Sequence, residues 1–375
     1  KIASRAPDEG VPMSGAAGLE AYGFLPAMRA EKEARGSIAE IPARVTAVHK
    51  ERYALVCDLG ECFGRLKSAV YFNGEAQDFP TTGDFVLIQF NEQGDSVITQ
   101  TLPRRSYFAR KNPTLGEGDQ AVAANFDSVF IMQSLNHDLN PKRLERYLTL
   151  AWQSGAVPVV VLTKADLVDS YDEQMNEILR VAVGVDVFAV SAKTGYGMDA
   201  LSGYLAPGKT IVLLGSSGVG KSSFVNALAG ETIMAVNEIR EDDSKGRHTT
   251  THRQLIRLKS GFMIIDTPGM RELGMLDAAS GLSESFSDVE QYFPLCRFSD
   301  CSHEREPGCA VQAAIASGEL PLSRFESYKK LQRESQYAAS QASYLKLKQQ
   351  RFTEIAKLNK AAQKSGGKRG AYGDD

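Results

Sequence analysis

Eight consecutive residues, Gly215-Ser216-Ser217-Gly218-Val219-Gly220-Lys221-Ser222, constrain this chain more than any other stretch. They fit the pattern G-x-x-x-x-G-K-[ST]. The apolar run Ile211-Val212-Leu213-Leu214 precedes them, and Phe224-Val225-Asn226-Ala227-Leu228 reads as the helix that follows. A strand, a glycine-rich turn and a helix in that order make a phosphate cradle. The glycines let backbone N–H groups turn inward, and the helix N-terminus adds partial positive charge. The loop residues through Ser223 are therefore expected to wrap a nucleotide's phosphates. Lys221 would pair the β- and γ-phosphates, and Ser222 would ligate Mg²⁺.

A loop of this kind needs a sheet behind it, and the surrounding chain supplies one. From Ala121 onward strands and helices alternate. Val129-Phe130-Ile131-Met132 and residues 157–162 are continuous apolar runs, as a parallel sheet covered on both faces requires. Residues 141–153 place Leu144, Leu148 and Ala151 or Trp152 at helical spacing. Helix 172–182, strand 185–190 and a short helix over 198–205 lead to the phosphate loop. Strands 254–258 and 262–265 come after it and after the polar stretch 237–251.

Three further motifs fall at the carboxyl ends of these strands, where ligands bind open α/β sheets. Asp266-Thr267-Pro268-Gly269 resembles the D-x-x-G element of GTPases. Asp266 would hold Mg²⁺, and the Gly269 N–H would sense the γ-phosphate. Thr163-Lys164-Ala165-Asp166-Leu167 resembles N-K-x-D, the guanine-reading motif. Asp166 accepts from two donors on guanine that adenine lacks, a discrimination of roughly 10⁴-fold where the mismatch leaves a buried group unpaired. Lys164 lays its stem over the base. Thr163 stands where such motifs usually carry Asn, and a hydroxyl lacks the two-ended hydrogen bonding of an amide. This substitution is expected to weaken guanine binding or the tie to the phosphate loop. Ser191-Ala192-Lys193 resembles the third base-contacting element.

The order is unusual, because both base-reading motifs precede the phosphate loop. The chain resembles a circularly permuted GTPase. Thr250, with Thr249 as second choice, is expected to close over Mg²⁺ and the γ-phosphate from the segment 246–251. Met270 occupies the place of a water-orienting Gln and cannot orient water. His248 is the polar side chain placed to take that role. The permutation also leads the switch after Asp266 straight into the C-terminal region.

On either side lie different patterns. Residues 37–105 form about five short alternating strands, the signature of a small closed barrel of OB type. Such barrels often bind RNA through exposed aromatic and basic side chains. Arg44, Lys50, Arg52, Arg65, Lys67, Tyr71 and Phe72 are the candidates, against a reading of each as a solvated strand face or core. Cys57 and Cys62 read as barrel thiols rather than ligands. Beyond the sheet, Cys296-x₄-Cys301-x-His303-x₅-Cys309 offers three thiolates and an imidazole, a closed structural zinc set. Helices are expected from Cys309 and over 323–338. Residues 1–37 look loosely ordered apart from a short helix at Leu19 to Phe24, and Lys1 in place of Met reads as a trimmed or tagged start. The net charge of −3 predicts no global attraction to nucleic acid, so any such contact is local. The basic stretch from Lys346 to Arg369 is one such place, or a solubilising tail. No run approaches a membrane span, and cysteine usage fits a reducing, cytoplasmic compartment.

The barrel, the permuted motif order, Gly246-Arg247-His248-Thr249-Thr250-Thr251 and C-x₄-C-x-H-x₅-C occur together in one family. Over about residues 37–338 the chain resembles the small-ribosomal-subunit biogenesis GTPases called RsgA, also YjeQ or EngC. The resemblance implies a multidomain chain: an OB-fold barrel (37–105), a permuted P-loop GTPase domain (106–280, with a linker at 106–120) and a zinc-binding helical domain (281–345). An extension (1–36) and a basic tail (346–375) flank these. It implies GTP hydrolysis aided by His248, Lys221 and Thr250. Mg²⁺ would sit on Ser222, Thr250 and Asp266, and one structural zinc on Cys296, Cys301, His303 and Cys309. It implies a monomer that binds the 30S subunit and its 16S rRNA, with no DNA and no membrane, and couples hydrolysis to late maturation and factor release. Two other readings stay open: an RNA-binding module that senses nucleotide with little turnover, and a GTPase acting on a different RNA.

Overall fold

Alternation along the apolar runs decides which face each side chain serves. In β8 (Ser128–Ser134) all seven positions are buried. Val129 and Ile131 face one core layer, and Phe130 and Met132 face the other. β9 (Val157–Thr163), β10 (Asp186–Ala189), β11 (Thr210–Leu214) and β13 (Met263–Asp266) join it in parallel, and β12 (Gln254–Arg257) follows antiparallel to β13. The order is β10-β9-β8-β11-β13-β12. The computed structural model describes residues 18–35, 39–49, 52–67, 79–110, 120–136, 138–234, 254–266, 279–337 and 340.

One face of this sheet is covered by Pro141–Gln153, whose Leu144, Leu148 and Ala151 pack with Val160 and Leu162, as the helical spacing predicts. Phe286, Val289, Val311 and Tyr328 from the C-terminal helices join the same layer. The opposite face is covered by the phosphate-loop helix Lys221–Ala229 through Phe224 and Val225. The helix expected over 198–205 shortens to a 3₁₀ turn, Met198–Leu201. Gly203 and Pro207 follow it, and neither favours continuation.

The first five strands close on themselves. β1 (Ile41–Val48), β2 (Tyr53–Cys57), β3 (Gly60–Leu66), β4 (Phe85–Gln89) and β5 (Ser96–Thr101) pair in the order β1-β2-β3-β5-β4-β1, with β3 and β5 parallel. This is an OB-like barrel filled by Ala43, Val45, Leu55, Cys57, Val86, Ile88 and Ile98. Cys57 is buried, as expected of a buried barrel thiol, whereas Cys62 is only half-buried. β6 (Tyr107–Arg110) and β7 (Gln120–Ala124) pair antiparallel within the stretch that follows.

Residues 18–35 hold more helix than composition suggests. Leu19–Tyr22 forms a 3₁₀ turn and Pro26–Arg35 a helix. Leu19, Phe24 and Met28 seal the outside of the barrel against Val56, Phe85, Leu87 and Leu102. This covering overturns one expectation. Arg44, read as an RNA-facing cation, is 1% exposed. Its guanidinium donates to the carbonyls of Gly83 (3.2 Å), Asn125 (2.9 Å) and Tyr22, and lies 4.8 Å from the Phe85 ring centre. Burial lowers its pKa to about 9, so it stays charged at neutral pH. Arg44 therefore joins the barrel, the N-terminal segment and the sheet. Gly83 lets the two units close in: a side chain there would meet the Ala124 carbonyl at 2.1 Å, and its φ of +93° favours glycine.

Candidate functional site

The phosphate loop leaves β11 at its carboxyl end and turns into Lys221–Ala229, as the sequence predicts. Gly218 and Gly220 adopt φ of +77° and +102°. Gly215 passes so near β8 that a Cβ would sit 2.7 Å from the Met132 carbonyl. These are backbone demands that only glycine meets without strain. The Lys221 ammonium donates to the carbonyls of Gly215 (2.8 Å) and Ser216 (2.6 Å). Ser216 and Ser222 are half-buried, and Ser217 is exposed.

Both base-reading motifs lie beside this loop. Thr163 ends β9, is 5% exposed, and its Oγ1 lies 2.6 Å from the Val219 carbonyl and 3.2 Å from the Gln133 carbonyl. A hydroxyl has one proton, so the shorter contact to the phosphate loop takes it. The tie expected to suffer from losing Asn is thus made by a single hydroxyl. Lys164 takes a left-handed φ of +61°, which turns the chain sharply into Asp166. The Ser191 hydroxyl donates to Asp166 Oδ1 at 2.7 Å and accepts from the Thr194 N–H at 3.2 Å. The T-K-A-D and S-A-K loops are therefore one unit. Leu167 is exposed at its edge.

Asp266 closes β13, opposite Gln254 in the register and next to β11, so its backbone ends at the same edge of the sheet. His248, Thr249, Thr250, Gly269 and Met270 lie outside the described residues, as do Lys50, Tyr71, Phe72 and the basic stretch after residue 340. Of the other barrel candidates, Arg52 and Arg65 are exposed and share Asp95, at 2.7 and 2.5 Å. Arg52 also covers the exposed Phe63 ring at 4.1 Å. Lys67 is exposed.

Two residues at the phosphate loop escaped the sequence reading. Asp138 accepts from the Ser216 hydroxyl and pairs with Arg143 at 2.8 Å. Asp138 follows β8 at the same carboxyl edge as the other motifs, but no sequence pattern ties it to Ser216.

The four zinc-type residues meet. The candidate ligand atoms of Cys296, Cys301, His303 and Cys309 all lie within 4.8 Å of one another. His303 Nδ1 is 3.4 Å from Cys296 Sγ and 3.7 Å from Cys309 Sγ, and the two sulfurs are 4.0 Å apart. A tetrahedral zinc with Zn–S bonds of about 2.3 Å has S–S edges of about 3.8 Å. The donor set and its spacing fit. His303 is fixed by stacking on Phe293 (4.2 Å) and by Gln312, which donates to its carbonyl at 2.6 Å. Its φ of +61° makes the turn between Cys301 and Cys309.

Comparison with known proteins agrees with this geometry. The RsgA GTPase family model matches residues 101–276. An ABC transporter model matches residues 198–369, which include the phosphate loop that both groups carry. "Small ribosomal subunit biogenesis GTPase RsgA 1" of Listeria innocua is 47% identical over 333 residues, covering 89% of this chain and 94% of that protein. RsgA of Methanosarcina acetivorans is 44% identical and covers 77% and 79%. The structure of YjeQ from Thermotoga maritima superposes with a TM-score of 0.60 at 27% identity, covering 79% of this chain and 98% of that one. YloQ, "a circularly permuted GTPase", superposes at 0.56 with 22% identity, a likeness of fold. The chain belongs to the RsgA family of circularly permuted GTPases.

Proposed function

We propose that this chain binds GTP in the pocket framed by the phosphate, T-K-A-D and S-A-K loops, and hydrolyses it on the small ribosomal subunit during late maturation. The observation that carries this is the convergence of those three loops, through the Thr163–Val219 and Ser191–Asp166 contacts, despite their permuted order. The name carried by relatives such as that of Listeria innocua supports the ribosomal part.

In this reading Gly215 to Ser223 enclose the phosphates and Lys221 compensates their charge. Thr163, Lys164, Asp166, Leu167, Ser191, Ala192 and Lys193 surround guanine. Ser191 holds one oxygen of Asp166 and so orients the carboxylate toward the paired donors of the base. Mg²⁺, held by Ser222, Thr250 and Asp266, would neutralise charge between the β- and γ-phosphates. Gly269 reports the γ-phosphate, and His248 positions the attacking water in place of Met270. The Cys₃His cluster takes zinc, a soft-ligand choice. Among the described residues no helix is long and apolar enough to cross a membrane. The domains divide as 37–105, 106–280 and 281–345, and the chain acts as a monomer on 16S rRNA rather than DNA.

The test is GTP turnover measured with and without 30S particles at low salt. Turnover is expected to rise with the particles, and to fall by roughly 10²-fold or more in His248→Ala, the scale of a lost general-base or water-positioning group. Equal rates with and without particles would remove the ribosomal assignment. Absent turnover with intact GTP binding would favour a nucleotide-sensing module, which Met270 also fits.

A further inference from the structure

Apart from the Lys221 ammonium on the Gly215 and Ser216 carbonyls, a phosphate loop built of glycine and serine has little side chain with which to hold its own shape. Its backbone N–H groups must nevertheless be aimed before phosphate arrives, because disorder there is paid for in affinity. Thr163 fixes one end at Val219. The other end is fixed from the loop after β8. The Ser216 hydroxyl donates to Asp138 Oδ2, and Arg143 donates to Asp138 Oδ1 at 2.8 Å and to the Asp138 carbonyl.

The residues on either side of Asp138 are themselves tied together. Gln133, fully buried, donates through Nε2 to the Asn140 carbonyl at 3.2 Å and accepts from the Asn140 N–H at 2.9 Å. The Asn140 side chain caps helix Pro141–Gln153 by accepting from the Arg143 N–H at 3.0 Å. Asp138 is thus a fixed acceptor with a fixed counter-ion. The counter-ion matters, because a bare carboxylate beside a phosphate site repels the ligand it is meant to help. Paired with Arg143, it serves as a strong acceptor with little net charge.

We infer that Asp138 is a positioning residue for guanine nucleotide: through Ser216 it locks the start of the phosphate loop in its binding shape, and Arg143 keeps its charge from opposing the phosphates. The inference rests on the nucleotide-binding reading above. It identifies a contact partner 78 residues away in sequence that no loop motif contains.

The experiment is a double-mutant cycle on the full chain, read as the Kd for a fluorescent GDP. Wild type must bind first, and failure there refutes the nucleotide reading rather than this one. Given binding, Asp138→Ala and Ser216→Ala are each expected to weaken it about tenfold, and the double variant no further, as for two groups acting through one contact. Asp138→Asn, whose amide oxygen accepts the same hydroxyl, should bind within about threefold of wild type. A merely structural defect would instead lower the melting temperature without nucleotide and would not be rescued by Asn. Wild-type affinity in Asp138→Ala, or losses that add in the double variant, would overturn the inference.

Discussion

At Thr163 one hydroxyl does what an amide does elsewhere. Its donor lies 2.6 Å from the carbonyl of Val219, a residue only 1% exposed. Thr163→Val keeps the shape and removes the proton. A buried acceptor robbed of its donor costs about 1–3 kcal/mol, so GDP affinity should fall roughly tenfold or more. Thr163→Ser keeps the hydroxyl and should stay near wild type. Unchanged GDP titrations for Thr163→Val would mean the contact holds nothing. Sequence made this position visible because it departed from a motif. It did not show the outcome, since whether a shorter side chain still reaches depends on how closely β9 approaches the loop. Asp138 was invisible for a related reason. A lone Asp before Leu139-Asn140-Pro141 looks like a helix-start residue until the fold brings Ser216 to it.

At the scale of elements, the legible parts were those whose chemistry demands particular residue types at particular spacings. The strand–loop–helix was one and Cys296-x₄-Cys301-x-His303-x₅-Cys309 another. The turn around the second packs on the core through Phe293, Cys296 and Cys301, but with few fully buried side chains. Leu295 is 68% and Phe298 42% exposed, while Cys309 and Val311 are the buried anchors of helix Ala310–Ser317. A loop with so few fully buried residues would owe much of its order to a bound metal. About one zinc per chain is expected by elemental analysis, lost in Cys301→Ser. In that variant, hydrogen exchange should quicken over 293–309 while GDP binding persists, because no described nucleotide-site contact runs through these four ligands. Full occupancy in Cys301→Ser, or unchanged exchange, would contradict this account. What patterning did not reveal is how the element attaches. Arg324, 5% exposed, grips Asp288 at 2.9 and 3.0 Å and Glu145 at 2.9 Å, so the C-terminal helices are bolted to helix Pro141–Gln153. That is the same helix whose Arg143 pairs with Asp138. The sequence suggested only the switch after Asp266 as a route toward the C-terminal region. The fold provides a connection from the phosphate loop through Asp138, Arg143 and this helix.

Across the whole molecule, the barrel is joined to the sheet rather than tethered to it. β1 pairs with β12 at Ala47 and Gln254, and Arg44 reaches from β1 to Gly83, Asn125 and Tyr22. A charged residue on an alternating strand reads as solvent-facing, and the reading of Arg44 failed because the outer face of this barrel is itself covered. The covering comes from residues 19–28, where the sequence suggested a short helix at Leu19 to Phe24 but not what it would cover. A buried guanidinium shared among carbonyls from three segments is costly to remove. Arg44→Met fills similar volume but strips the donors, leaving buried carbonyls unpaired at about 1–3 kcal/mol each. The loss falls chiefly at the joint, beside the Phe85 ring that the guanidinium also covers. The wild-type chain should therefore unfold with the barrel and sheet in one transition, whereas Arg44→Met should split it, with residues 41–101 melting or becoming protease-sensitive first. Guanine nucleotide should then stabilise only the later transition, since ligand binding protects the unit that holds the site. A single unshifted transition in Arg44→Met, or nucleotide protection of both phases alike, would mean that the barrel follows the GTPase sheet by some other contact than this arginine.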